Sequence, residues 1–60
     1  MWIIRKDGKA INLANAEMLR YNNDLTEVMI GKTWWIVSCK NVMADILEAM
    51  RKNQDYLEVE

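Results

Sequence analysis

The chain contains no histidine and no proline, and it has a single cysteine and only two glycines among its 60 residues. Without histidine, the commonest general base and the commonest neutral metal ligand are missing. One cysteine cannot form an intrachain disulfide, and one cysteine without any histidine is too few of the usual ligands for a structural zinc site. Gly8 and Gly31 both fall in predicted turns, so there is no glycine-rich phosphate loop. We therefore expect no catalytic residue, no metal and no cofactor.

A strong charge of one sign and a long apolar run are also missing. The formal net charge is -1, from eight basic and nine acidic residues interspersed along the chain. This balance creates no strong field for nucleic acid or anionic lipid. No apolar run approaches the ~20 residues of a membrane span, and the first residues lack the features of a signal peptide. We expect a cytoplasmic protein with no membrane span, and the charge argues against a nucleic-acid partner.

The length of the chain limits its stability. Residues 1–60 can form a single domain, and a chain this short buries only roughly 60% of the surface that its unfolded form exposes. The apolar fraction is nevertheless 52%, including three tryptophans. Since neither a disulfide nor a metal can add stability, self-association is the expected remedy. We predict a homo-oligomer.

Alternating, β-prone segments predict a mostly antiparallel sheet. The predicted strands are Trp2–Arg5, Lys9–Leu13, Ala16–Tyr21, Leu25–Ile30 and Thr33–Cys39. Asp7-Gly8 predicts a type I′ hairpin turn with positive φ at both residues, and Gly31-Lys32 predicts a second two-residue loop.

Two segments leave alternatives open. Ala16–Tyr21 is predicted as a strand, but its composition also permits a helical turn near residues 15–18. Tyr56–Glu60 alternates at period two, so it is either a frayed tail or a short last strand that joins a sheet edge.

One helix is predicted after Asn41, which is a plausible N-cap. The apolar residues that recur at helical spacing are Val42, Met43, Ile46, Leu47 and Met50. This stripe is expected to lie on the sheet. The sequence thus predicts an α+β fold, a small mostly antiparallel sheet of four to five strands with one C-terminal helix packed on it.

The last of the five predicted strands is apolar on both faces. Alternation places Trp34 and Ile36 on one face and Trp35, Val37 and Cys39 on the other. One helix cannot cover both faces, so one of them is expected to contact a partner. We assign Trp35, Val37 and Cys39 to the subunit's own core, with Cys39 a buried structural thiol, and the other two residues to the contact surface. The reverse assignment of the faces stays open.

The aromatic residues are the sharpest functional feature. The candidates for an interface or ligand site are Trp34, Ile36, Trp2, Tyr21 and Arg20. The first hypothesis is a protein-interaction module, since aromatic residues are enriched in interface hot spots. The alternative is a protein that binds or sequesters a small nucleotide-type ligand at a subunit interface, with an aromatic ring stacked on the base and an arginine at the phosphate. A compact DNA-binding regulator is a third hypothesis, which the net charge disfavours.

Turn and core positions between Lys9 and Lys52 carry a resemblance to a known family. The matching pieces are Asp7-Gly8-Lys9, Ile11-Asn12-Leu13-Ala14-Asn15-Ala16, Glu17-Met18-Leu19, Ile30-Gly31-Lys32 and Asn41-Val42. In this layout the chain resembles the FlbD/SwrD-type small flagellar proteins of bacteria over about two-thirds of its length. The resemblance implies a non-enzymatic bacterial accessory protein that acts by contact, and it carries over no catalytic residue. A short chain of this kind is equally typical of a phage.

Overall fold

The computed structural model describes all 60 residues, and the α+β class is confirmed. In place of one sheet of four to five strands, the chain forms two three-stranded sheets and one α-helix. The elements are β1 (Trp2–Ile4), β2 (Ala10–Asn12), a 3₁₀ helix (Leu13–Asn15), β3 (Ala16–Asn22), β4 (Leu25–Ile30), β5 (Thr33–Ser38), α1 (Met43–Arg51) and β6 (Tyr56–Glu58).

The first sheet has the strand order β2-β1-β6. β2 runs antiparallel to β1, and β6 runs parallel to it, with Ile3 opposite both Ile11 and Leu57. The N–H of Val59 donates to the carbonyl of Ile4 at 2.9 Å just beyond β6. The C-terminal segment is therefore a strand on the chain's own sheet. No ladder joins β2 to β3, and the 3₁₀ helix between them separates β1 and β2 from the rest of the predicted sheet.

The second sheet is the antiparallel meander β3-β4-β5. The strand prediction for Ala16–Tyr21 is confirmed, and the only helical turn nearby precedes it, in the 3₁₀ helix. Two irregularities interrupt the ladders. Glu17 is an extra residue between the paired Ala16 and Met18, and Val37 is an extra residue in β5. Each bulge reverses the alternation of side chains on its strand.

The type I′ conformation occurs at a different turn from the predicted one. Asn23 and Asp24, between β3 and β4, have φ of 51° and 63°. Short polar side chains tolerate this left-handed region, which a type I′ turn needs at both positions. The two-residue loop at Gly31-Lys32 is confirmed, with φ of 67° at the glycine and Ile30 paired with Thr33.

The turn between β1 and β2 has three residues, so the prediction of a type I′ turn at Asp7-Gly8 is wrong. Gly8 alone has positive φ, at 90°. Its N–H donates to the Arg5 carbonyl at 3.0 Å, and the Arg5 N–H donates to the Lys9 carbonyl at 2.7 Å. This is the pattern of a tight turn followed by a glycine bulge, because Lys6 is included in the loop.

The core lies where the helix meets both sheets. Its buried apolar cluster consists of Ile3, Val28, Val37, Val42, Ile46 and Val59. The helix buries a narrower stripe than predicted, formed by Ile46 and Ala49, whereas Leu47 and Met50 are 55% and 51% exposed. The helix packs against β3 and β6, so residues on its flanks do not reach a sheet surface. The one α-helix has nine residues, which is too short to span a membrane.

Polar groups anchor the segment between β5 and the helix. The buried hydroxyl of Thr26 donates to the Lys40 carbonyl at 2.6 Å and accepts from the Val42 N–H at 3.1 Å. Val42 occupies the N-cap position, and the predicted cap Asn41 acts from one residue earlier, accepting from the Met43 N–H at 3.2 Å. The first backbone N–H groups of a helix have no partner within it, so these side chains satisfy them.

Candidate interaction surface

The second sheet turns one face to the core and the other to solvent. Val28 is fully buried on the core side, and Leu19 beside it packs against the core cluster. Residues one position away on each strand therefore point outward. Cross-strand pairing arranges them in two rows. The first row is Met18, Met29 and Trp34, and the second is Arg20, Glu27 and Ile36. We call this surface the Trp34 face; its members are Met18, Met29, Trp34, Arg20, Glu27 and Ile36.

Arg20 lies flat across the Trp34 face. Its guanidinium carbon is 3.7 Å from the centroid of the Trp34 ring, two strands away. On the way its Nε donates to Oε1 of Glu27 at 3.0 Å, and the Glu27 side chain is only 13% exposed. The positive charge is thus neutralised by its neighbour on β4 and stacked on an aromatic ring. Arg20 therefore points towards the centre of the sheet and away from its outer edge.

The core assignment made for the other face of β5 is correct only for Val37. Trp35 is 52% exposed, although it shares a face with Val28. The helix packs near β3 and leaves the β5 side open, where Trp35 borders a cleft of about 280 Å³ with Ile11 and Ile30. Cys39 is exposed as well. The bulge at Val37 places both Val37 and Ser38 in the interior. β5 ends at Ser38, so Cys39 lies beyond the strand.

The candidate residues are divided among three places. Arg20, Trp34 and Ile36 share the Trp34 face. Tyr21 follows Arg20 along β3 and points to the opposite side, where its hydroxyl donates to Oδ1 of Asp24 at 3.3 Å. Trp2 lies on the first sheet, half exposed beside Tyr56.

Three members of the Trp34 face were not among the sequence candidates. They are Met18, Glu27 and Met29. The period-two pattern of β3 and β4 already put these residues on a single side of each strand. The register of the β3–β4 hairpin determines which of these side chains lie next to each other. A two-residue turn at Asn23-Asp24 sets this register by pairing Asn22 with Leu25.

An apolar groove adjoins the Trp34 face at the outer edge of β3. It has a volume of about 210 Å³ and lies between β3 and the helix. Three large side chains beside it are more than half exposed, namely Met18 at 56% together with Leu47 and Met50. Singly exposed apolar residues are ordinary, but a cluster of this kind is typical of a contact surface.

A polar cleft of about 350 Å³ on another side of the molecule contains the free thiol of Cys39. Its charges pair with each other, Arg5 with Asp7 at 3.1 Å and Lys40 with Glu60 at 2.9 Å. The second pair raises the pKa of Lys40 and lowers the pKa of Glu60 through the hydrogen bond that joins them. This arrangement stabilises the charged forms of both groups.

The arrangement of these surfaces separates the mostly apolar Trp34 face from the polar cleft. The Trp34 face and the adjoining groove combine apolar area with one neutralised ion pair, while the cleft holds charges that are already paired. Comparisons of the chain with known protein families, with curated protein sequences and with solved structures find no significant match.

Proposed function

We propose that this chain is a non-enzymatic accessory protein of bacterial or phage origin that acts as a protein-interaction module and works as a homo-oligomer. Its contact surface for a protein partner is the Trp34 face. The observation that supports this proposal is the Arg20–Trp34 stack, held by Glu27 on an open sheet face with Met18 and Met29. The resemblance to small flagellar proteins agrees with a role through contact.

The chemistry of the Trp34 face suits protein recognition. Tryptophan and arginine are enriched among hot-spot residues, because they combine a large apolar area with directional polar contacts. Arg20 and Glu27 compensate each other, so a partner that covers the face buries no unpaired charge. The stack also restricts the Arg20 side chain before binding, which lowers the entropy lost on association.

The small core supports the homo-oligomer. Only nine of the 60 residues are buried. Eight large apolar residues remain exposed, namely Trp2, Met18, Tyr21, Trp35, Ile36, Leu47, Met50 and Tyr56. Small domains without disulfides or metals commonly gain stability by covering such residues with another chain.

The nucleotide-binding alternative has less support. It requires Trp34, Tyr21 and Arg20 to converge on one ligand, but Tyr21 points to the opposite side of β3 from the other two. The guanidinium of Arg20 already binds Glu27. A phosphate would have to displace that carboxylate, so the geometry favours the interaction module.

Site-specific photocross-linking in bacterial cells tests the partner surface. Benzoylphenylalanine replaces Met29 at the centre of the Trp34 face, and the matched control places it at the exposed Ala44 on the helix. We expect one discrete protein adduct from position 29, none from position 44, and loss of the adduct when Glu27→Lys is added. Equal adducts from both positions, or none from position 29, would contradict the proposal. Sedimentation velocity on the purified chain tests the homo-oligomer.

A further inference from the structure

β3 has an open edge. It is the longest strand, with seven residues, and it lies at the border of the second sheet. The residue pairs between β3 and β4 alternate between hydrogen-bonded and non-hydrogen-bonded pairs. The first pair beside the Asn23-Asp24 turn, Asn22–Leu25, is hydrogen-bonded. The N–H and C=O groups of Leu19 and Tyr21 therefore point away from β4. None of the backbone hydrogen bonds outside the regular elements involves these groups.

The opposite border of the same sheet is closed. On β5 the outward carbonyl of Ile36 accepts a hydrogen bond from Nη1 of Arg5 at 3.0 Å. The bulge at Val37 twists this edge further, and proteins use both devices to block strand addition. In the first sheet the border strands β2 and β6 have only three residues each.

β3 lacks such protection along most of its length, because its own bulge lies at the start of the strand. The chain has no proline. The one basic residue in the middle of the strand, Arg20, is directed across β4 to Trp34 and so does not guard the edge. Apart from one glutamate at the bulge, the exposed residues of the adjoining groove are apolar, with Met18 on one side and Leu47 and Met50 on the other.

We propose that two copies of the chain pair antiparallel along β3, through the edge groups of Leu19 and Tyr21. This inference rests on the proposed homo-oligomer and specifies its geometry. Pairing joins the two meanders into a continuous six-stranded sheet, so that the two Trp34 faces form one platform for the protein partner. The second copy also covers Met18, Leu47 and Met50. A strand edge alone is too narrow for a stable interface, which buries roughly 1,200–2,000 Å² in total, and these side chains add apolar area.

Charge selects the register of this pairing. With Leu19 on the two-fold axis, Met18 of one copy lies opposite Arg20 of the other, and Glu17 lies opposite Tyr21. A shift to the next register places the two copies of Arg20 directly opposite each other, and like charges in that position destabilise a sheet. A shift in the other direction places Met18 on the two-fold axis, beside the bulge at Glu17, and leaves Tyr21 without a partner in β3.

Disulfide trapping tests the edge and the register together. The exposed Cys39 is first replaced by serine, and Glu17→Cys and Tyr21→Cys are then made in separate chains, so that both copies keep Arg20. In the proposed register these two positions lie opposite each other as a bonded pair with Cα atoms about 5.5 Å apart, within the range that a disulfide spans. On mild oxidation of the mixture, we expect the mixed dimer to exceed either homodimer by about tenfold.

A second pair of variants tests the edge without cysteines. Tyr21→Pro removes an outward N–H and leaves the β3–β4 ladder intact, whereas Tyr21→Phe keeps that N–H. We expect Tyr21→Pro to sediment as a monomer with an unchanged circular dichroism spectrum, and Tyr21→Phe to remain a dimer.

The outcomes separate this inference from the proposed function. A dimer in which the mixed disulfide is not preferred, or a dimer that Tyr21→Pro leaves intact, would overturn the edge pairing and leave the homo-oligomer standing. A chain that stays monomeric at all accessible concentrations would overturn both. A preferential mixed dimer that is lost on adding Tyr21→Pro to the Glu17→Cys chain supports the edge pairing.

Discussion

The guanidinium of Arg20 lies 3.7 Å from the centroid of the Trp34 ring, although the two residues belong to strands at opposite borders of one sheet. The Arg20 side chain crosses β4 and meets the carboxylate of Glu27 on its way. One contact therefore neutralises the charge on the Trp34 face and also leaves the edge of β3 without its basic residue.

Removing the guanidinium is expected to destabilise the sheet. Arg20→Ala loses a cation–π contact of about 0.5–1 kcal/mol and leaves the mostly buried Glu27 without a partner, so we expect a total loss of about 1–2 kcal/mol. Arg20→Lys should recover less than half of that loss, because lysine lacks the planar fork of arginine. Urea denaturation measures both. Absence of coupling in a double-mutant cycle with Trp34→Leu would contradict the contact.

Thr26 is expected to be the most sensitive polar position. Thr26→Val leaves the Val42 N–H and the Lys40 carbonyl without their buried partner, at a cost of about 2–3 kcal/mol. Thr26→Ser keeps the hydroxyl and should lose less than half of that amount. Chemical denaturation compares the two variants. Equal losses would show that the methyl group, rather than the hydrogen bonds, supports the segment.

The rotation of the helix can be tested with two adjacent residues. Ile46→Ala removes a fully buried side chain and should cost about 2–5 kcal/mol, enough to unfold much of so small a domain. Leu47→Ala removes a residue that is more than half exposed and should change stability by about 0.5 kcal/mol or less. Thermal denaturation at a concentration where the chain is monomeric gives both values. Similar losses would contradict the narrow buried stripe.

Tyr21 is expected to titrate above its ordinary range. Partial burial raises its pKa above 10.0, and the charge of Asp24 and their hydrogen bond raise it further. The folded state then binds the phenolic proton more tightly than the unfolded state. The resulting stability is fully present below about pH 10 and is lost as the pH rises through the folded pKa.

Phenolate absorbance in a Tyr56→Phe background isolates this titration, since the chain has two tyrosines. Asp24→Asn should lower the pKa of Tyr21. An unchanged pKa in that variant would show that the carboxylate has no influence on the phenol.

Local interactions already determined a large part of this fold. The alternation in residues 16–21, 25–30 and 33–38 specifies strands, and short turns at Asn23-Asp24 and Gly31-Lys32 join them as hairpins. Helical periodicity after Asn41 specifies α1. Neighbours in sequence make these contacts, so they can be read without a tertiary structure. The same pattern put Trp34 and Ile36 together on one side of a strand.

Long-range packing decided the rest. The missing ladder between β2 and β3 divides the strands into two sheets, and long-range pairing adds β6 to the first of them. Only the position of the helix over β3 and β6 leaves Trp35 exposed. The bulges at Glu17 and Val37 change which side chains are buried, and no strict alternation predicts them. The contact between Arg20 and Trp34 depends on all three strands being in register. Residues far apart in sequence determine these features, because each element buries its apolar side only where another element is available to cover it.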